Sequence, residues 1–310
     1  MNILITGATG FIGRNLVQEL AKSSENKLIC LVRSKIKAKR LDLYGVRCIY
    51  ADITQLPELE EKMTENIDLI FHCAGYVSNK DKQKLDQVNV VGTENVCKLA
   101  LKLKARKMVY LSSVAVISGN LQTPLTEDLP YKATNPYGES KIAAEKKVLQ
   151  YRKLGLKAVI LRPCMVYGEQ EPHLLKTFIF LLKFRLMPLL NKGANKFHLV
   201  YVKNVIDAMI FSLHNDAFLK GTFFIADKEV LSNKQVMLII AQAVNAPMPL
   251  SLPDFMTKIL IQLPYVGRKF RFFIKDRVYS TKSIQRLSFK HKYPAQQSLS
   301  QSCKAILKAG

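Results

Sequence analysis

Three glycines at three-residue intervals, Gly7, Gly10 and Gly13, stand between a short β-type run (NILIT, residues 2–6) and a helical pattern that begins RNLVQEL. The order is strand, tight loop, helix. A pyrophosphate that approaches the backbone closely and meets free N–H groups at a helix N-terminus needs residues without a Cβ at the turn and at the contact. Gly7, Gly10 and Gly13 fill those positions. A plain tight turn would account for one or two of them, so the neighbouring elements decide.

Further strand candidates occur at 28–32 (LICLV), 46–50 (VRCIY), 68–72 (DLIFH), 107–111 (KMVYL) and 158–161 (AVIL), separated mostly by helix-period segments. Alternating β and α elements, with strands apolar on both faces, predict an α/β fold around a doubly wound parallel sheet of the Rossmann kind. At 310 residues the chain can add a smaller second lobe to that core.

Several function classes lose support from composition. The six cysteines never occur as CxxC and most lie in apolar runs, so they read as reduced core residues of a cytoplasmic protein. The five histidines are scattered without metal-ligand spacing, which predicts no metal. Glycines 7, 10 and 13 interrupt any signal-peptide core, and Lys or Arg cuts the later apolar runs before they reach about 18 residues, short of a spanning helix. A net charge of +23, from 47 Lys+Arg against 24 Asp+Glu, favours anionic partners. A solvated cationic face, a phosphorylated substrate or an anionic membrane surface would each suit it. No nucleic-acid motif accompanies the charge, and no nucleic-acid partner is expected.

TGATGFIG at 6–13 resembles the glycine fingerprint of the extended short-chain dehydrogenase/reductases, the NAD-dependent epimerase/dehydratase superfamily. Other motifs follow in that family's order: Asp52 in ADIT, HCAG at 72–75, NVVGT at 89–93, LSS at 111–113, YGESK at 137–141 and RPCMVYG at 162–168. The similarity is dense over residues 1–215 and loose beyond. It implies an NAD(P)-binding domain over 1–167, rejoined by 198–215, and a mainly substrate-binding lobe over 168–310. It also implies cofactor contacts from Gly7, Thr9, Gly10, Phe11, Ile12, Gly13, Asp52, Ile53, Cys73, Ala74, Gly75, Pro163 and Val166, and a homodimer packed through helices that include the one bearing Tyr137.

Arg33 ends the second strand, where an NAD enzyme usually places a carboxylate on the ribose hydroxyls. A guanidinium there can pair with a 2′-phosphate, which favours NADP over NAD. Tyr137 and Lys141 are spaced i, i+4 behind Pro136 and project from one helical face. An ammonium beside a phenol lowers its pKa from about 10 toward general-base range. Ser113 closes the fifth strand, at the sheet edge that faces ligands. The resemblance implies that Ser113 holds the reacting oxygen, that Tyr137 exchanges the proton, and that Lys141 also binds the nicotinamide ribose.

The second lobe lacks the RPGD-like arginine motif that nucleotide-sugar enzymes of the family carry. It reads RKFRFFIKDRVYS at 268–280 and is rich in Phe, Leu and Ile. This resembles the 3β-hydroxysteroid dehydrogenase and dihydroflavonol reductase branches and predicts a secondary alcohol/ketone oxidoreductase acting on a hydrophobic small molecule. A nucleotide-sugar epimerase or dehydratase with retained cofactor is one alternative. A dinucleotide-binding regulatory subunit without turnover is the other, and the intact Ser113, Tyr137 and Lys141 set argues against it. Two basic, apolar stretches, 174–190 and 255–277, match core helices or segments that dock peripherally on anionic membrane.

Overall fold

A computed structural model describes residues 1–215, 218–264 and 274–309, with the side chains of His214 and Ala309 set aside. Seven strands form one sheet: β1 (Asn2–Thr6), β2 (Lys27–Val32), β3 (Arg47–Tyr50), β4 (Leu69–His72), β5 (Lys107–Leu111), β6 (Ala158–Pro163) and β7 (Thr222–Ile225). Their spatial order is β7-β6-β5-β4-β1-β2-β3, and every neighbouring pair is parallel. The chain reverses its winding direction between β1 and β4, which leaves a crevice at their carboxyl ends. The longer helices are α1 (Phe11–Leu20), α2 (Gly92–Lys102), α3 (Pro136–Lys153), α4 (Leu174–Lys183), α5 (Val202–His214), α6 (Asn233–Ala243), α7 (Asp254–Gln262) and α8 (Ala295–Ala309).

Strand side chains alternate between the two faces, and here both faces are covered. Ile3, Ile5, Cys30, Val32, Phe71, Val109 and Val159 face Leu16 and Val17 of α1 and Val205 and Met209 of α5. Leu4, Ile29, Ile70, Met108 and Ile160 face Val96 and Leu99 of α2 and Ala144 and Val148 of α3. Dual coverage explains why the strands read as unbroken apolar runs. The first six strands lie within two residues of the runs named from sequence.

β7 is a difference. The resemblance leaves the residues after 215 to the mainly substrate-binding lobe, yet Thr222–Ile225 pairs with Ile160–Pro163 in the main sheet. Four residues bounded by Lys220-Gly221 and Ala226-Asp227 are too short for periodicity to identify.

The second lobe has its own core, built from Leu175, Phe178 and Ile179 of α4, Val236 and Met237 of α6, and Leu299 and Cys303 of α8. Ser232 opens α6 with a full capping box, its hydroxyl accepting from the Gln235 N–H and the Gln235 amide oxygen accepting from the Ser232 N–H. A short parallel pair, Met165–Tyr167 with Leu199–Tyr201, joins this lobe to the sheet. Beside it Asp227 accepts from the Tyr201 N–H at 2.9 Å, Asn204 Nδ2 at 2.8 Å and the Tyr167 hydroxyl at 3.0 Å. Burial nevertheless pushes its carboxyl up to about 6. All six cysteines are free thiols, and Cys30, Cys97, Cys164 and Cys303 are buried. Among the described residues no helix is long and apolar enough to cross a membrane. The basic run 268–275 lies outside the described residues up to position 273.

Candidate active site

The glycine loop takes the form its sequence demands. Gly7 has φ +71°, and a Cβ on it would lie 2.5 Å from the Ala74 backbone nitrogen. A Cβ on Gly13 would run into the Gly7 carbonyl, so β1 and α1 meet this closely only without side chains there. Gly10 caps α1 with no side-chain acceptor, which leaves the first N–H groups of the helix pointing into the crevice. The crevice is a cleft of about 490 Å³ lined by Gly7, Thr9, Gly10, Arg33, Ile53, Cys73, Ala74 and Gly75, all named from sequence. Leu31, Val32, Ser34, Lys37, Ala51 and Val88 complete its walls. A glycine cradle, free helix N–H groups and a cationic far end fit a dinucleotide.

At that far end Arg33 Nη1 lies 3.4 Å from Asp52 Oδ2. Burial would raise the Asp52 carboxyl, but hydrogen bonds from Thr54 and the Arg33 charge outweigh it and hold the group below its usual value. Phe11 and Ile12 sit on the first turn of α1 and pack toward the second-lobe core. His72, fully buried, bridges the Thr6 hydroxyl at 2.7 Å and the Thr93 hydroxyl at 2.9 Å, and burial drives its pKa down to about 3. This neutral ring ties β1, β4 and α2 together beneath the cleft. Asn89 fixes the loop after β4 to α3. It accepts from the Tyr76 N–H at 2.7 Å and donates to the Tyr76 carbonyl at 3.0 Å and to Ser140 Oγ at 2.9 Å.

Ser113 and Tyr137 meet in a second cavity of about 370 Å³. Ser113 ends the chain segment after β5, and its Oγ accepts from the Ala115 N–H at 3.1 Å, which fixes the hydroxyl at the mouth of the sheet. Asn135 caps α3 by accepting from the Gly138 N–H at 2.8 Å, and Pro136 fills the first helical position. These start signals aim Tyr137 at Ser113. A Cβ on Gly138 would lie 2.7 Å from the Ala115 carbonyl oxygen, so α3 approaches the serine loop closely because residue 138 is glycine. Cys164 and Met165 line the cavity, whereas Pro163, at the end of β6, and Val166, in the short strand Met165–Tyr167, are not among its lining residues. Phe197, His198, Arg277 and Tyr279 arrive from distant segments.

The electrostatics depart from the sequence-based expectation. Burial pushes the Tyr137 phenol up, and the hydrogen bond with the Ser113 hydroxyl opposes it. Lys141 is 3% exposed; its Nζ donates to the Leu111 carbonyl at 2.8 Å and lies 4.4 Å from the Tyr110 ring centroid. The ammonium is thus held by β5 below the phenol. Burial lowers Lys141 to about 8, with Glu145 acting in the opposite direction.

A pH signature follows. In the unfolded chain a lysine stays protonated to about pH 10.4, so between about pH 8 and that value the folded state binds fewer protons and stability rises with pH. Lys141→Met is expected to flatten this slope and to lose turnover. Denaturant midpoints of both proteins at neutral and alkaline pH measure it, and an unchanged slope would contradict the lowered pKa.

Sequence reasoning missed Glu145, which is fully buried. It receives Arg162 Nε at 2.9 Å, Arg162 Nη2 at 2.7 Å, the Tyr131 hydroxyl at 2.7 Å and the Ser112 hydroxyl. Through Ser112 it ties the segment bearing Ser113 to the helix bearing Tyr137 and Lys141. Its spacing, i+4 from Lys141 on the same helical face, was the available signal.

A UDP-glucose 4-epimerase of Mycolicibacterium smegmatis is 31% identical over 268 residues, 80% of this chain and 84% of that protein. Sterol demethylase protein B of Methylococcus capsulatus is 26% identical over 256 residues, 80% of this chain and 76% of that protein. In fold, the chain is similar to a UDP-glucuronic acid 4-epimerase from Bacillus cereus solved in complex with NAD. The TM-score is 0.79 at 22% identity, covering 100% of this chain and 99% of that one. Residues 3–226 match the family described as NAD dependent epimerase/dehydratase. The chain thus belongs to the NAD dependent epimerase/dehydratase family and is an enzyme of the extended short-chain dehydrogenase/reductase type.

Proposed function

We propose that the protein interconverts a secondary alcohol and a ketone on a hydrophobic small molecule, using NADP(H) in preference to NAD(H). The observation that carries this is the cavity holding Ser113 and Tyr137, where Val77, Val114, Ala115, Cys164, Met165, Phe197 and Tyr279 share the remaining wall with Ser118, Thr134, Asn135, His198 and Arg277. The apolar part of that wall supports a substrate with an apolar body, whose reacting oxygen meets Ser113 and Tyr137. The cofactor, when bound, supplies or accepts the hydride. Ser113 hydrogen-bonds the reacting oxygen, Tyr137 gives or takes its proton, and Lys141, anchored on Leu111, supports the cofactor ribose. Gly7, Thr9, Gly10, Phe11, Ile12 and Gly13 hold the pyrophosphate. Asp52, Ile53, Cys73, Ala74 and Gly75 enclose the adenosine side, and Pro163 and Val166 border the nicotinamide. The family resemblance supports a homodimer through the α3 surface.

Arg33, Ser34 and Lys37 line one end of the cleft together, which supports a 2′-phosphate. Arg277 in the catalytic cavity favours a second possibility, a substrate carrying an anionic group, as in nucleotide-sugar epimerisation with retained cofactor. One experiment separates them. Nicotinamide absorbance is followed with NADPH and with NADH over a panel of apolar ketones and nucleotide sugars. Net NADPH consumption with a ketone is expected, together with NADPH binding at least about 10-fold tighter than NADH and loss of that preference in Arg33→Ala, since a charge-assisted contact contributes about 1.5–3 kcal/mol. Epimerised sugar without net cofactor change would replace the first proposal by the second. Equal or tighter binding of NADH would remove the role of Arg33.

A further inference from the structure

The second lobe carries apolar surface that its own core does not use. α4 buries Leu175, Phe178, Ile179 and Leu182, yet Phe180 is 55% exposed, and just past the helix Phe184 is 62% exposed. The Phe180 and Phe184 rings lean on each other in the open, with centroids 4.7 Å apart. The chain then runs to Leu189, whose N–H donates to the Leu250 carbonyl at 2.9 Å, while the Leu252 N–H donates back to Leu189 at 3.0 Å. That bridge brings α7 to the same part of the lobe. Along α7 the buried residue is Thr257, whereas Phe255 is 64% and Ile259 58% exposed. Amphipathic surface helices ordinarily turn such residues inward, because burial of their apolar face supplies most of their stability. A nine-residue helix with the reverse arrangement calls for an apolar cover.

The charges select that cover. Across residues 174–192 and 248–264 the basic side chains are Lys176, Lys183, Arg185, Lys192 and Lys258, and Asp254 is the sole acid. Lys183, Arg185 and Lys258 stand exposed in sequence between the exposed apolar residues. A second copy apposed through this same face would set these basic side chains against their like. An anionic lipid surface offers the opposite sign and, just beneath it, an acyl boundary that accepts aromatic and branched side chains. We propose that this face of the second lobe docks reversibly on an anionic membrane. Phe180, Phe184, Phe255 and Ile259 enter the headgroup boundary, and Lys183, Arg185 and Lys258 pair with lipid phosphates.

The test is cosedimentation of the full chain with phosphatidylcholine vesicles, with and without phosphatidylserine, at low and high salt. Binding at least about 10-fold tighter to the anionic vesicles is expected, and salt should weaken it. The variant Phe184→Ser/Phe255→Ser should lose about 10-fold or more of that binding while keeping its circular dichroism and its cofactor affinity. Lys183→Glu/Arg185→Glu should show a comparable loss, whereas Lys104→Glu/Lys157→Glu, exposed lysines at the amino end of the sheet, should leave binding within about 2-fold. No binding to either vesicle, equal binding to both, or equal losses from the two charge-reversal pairs would overturn the proposal. So would a change of oligomeric state on Phe184→Ser/Phe255→Ser without any vesicle binding, which would make the face a protein interface.

Discussion

Tyr137→Phe is expected to lower turnover by about 10²- to 10⁴-fold while leaving the fold and cofactor affinity intact. The variant keeps the ring that fills the wall of the cavity and removes only the hydroxyl that meets Ser113. Because burial holds the phenol above its ordinary value, the wild-type rate of alcohol oxidation should climb with rising pH, as phenolate forms, and Tyr137→Phe should abolish that limb. Ser113→Ala removes the hydrogen bond that opposes the burial effect, so its residual activity should shift to still higher pH. Single-turnover rates over a pH series, with cofactor binding measured in parallel, check both. Near wild-type turnover in Tyr137→Phe would withdraw the assignment of Tyr137 and require another group to move the proton.

Glu145→Ala should cost about 3–5 kcal/mol of stability, the range for removing one partner of a buried ion pair. Arg162 is 4% exposed, and without the carboxylate its guanidinium would keep a 3.3 Å bond from Nη1 to the Glu127 carbonyl and its place beside the Tyr131 and Phe224 rings. The Tyr131 and Ser112 hydroxyls would lose their acceptor as well. Replacing both charged partners, as in Glu145→Leu/Arg162→Met, should restore much of the loss, because the cost arises from the orphaned charge rather than from the absence of the pair. Denaturant midpoints measure both variants. A loss below about 1 kcal/mol for Glu145→Ala would mean that the site relaxes around the cation or admits water.

The nucleotide half was legible because its demands are local. Gly7 and Gly13 are needed at sites a Cβ could not occupy, and β1 to β6 announce themselves as apolar runs since both faces of the sheet are covered. Tyr137 and Lys141 share a helix, so their spacing alone places them on one face. Glu145 escaped notice because a glutamate on a lysine-rich helix looks like solvent-facing charge; its spacing from Lys141 gave the shared face but not its buried partner Arg162, 17 residues on. His198, Arg277 and Tyr279 were out of reach for a different reason. They come together through long-range pairing, with His198 Nδ1 accepting from the Tyr279 N–H at 3.2 Å and the His198 N–H donating to the Arg277 carbonyl at 3.0 Å. The phenol's upward shift was missed because sequence shows which charge lies near Tyr137 but not how deeply the ring is buried.

β7 has a consequence for the order in which the chain can become safe during synthesis. Until residue 225 is available, β6 is the last strand of a parallel sheet, with the row of backbone groups on its outer side open to any extended segment of another chain. The same strand supplies the Phe224 N–H that Glu127 accepts at 3.0 Å, and Glu127 in turn receives Ser283 at 3.1 Å. A ribosome-bound or truncated product ending near residue 167 would therefore hold the whole glycine cleft yet expose an adhesive margin. β6 is thus covered only once Thr222–Ile225 has been made, and the edge then passes to β7, where Glu127 already occupies the Phe224 N–H.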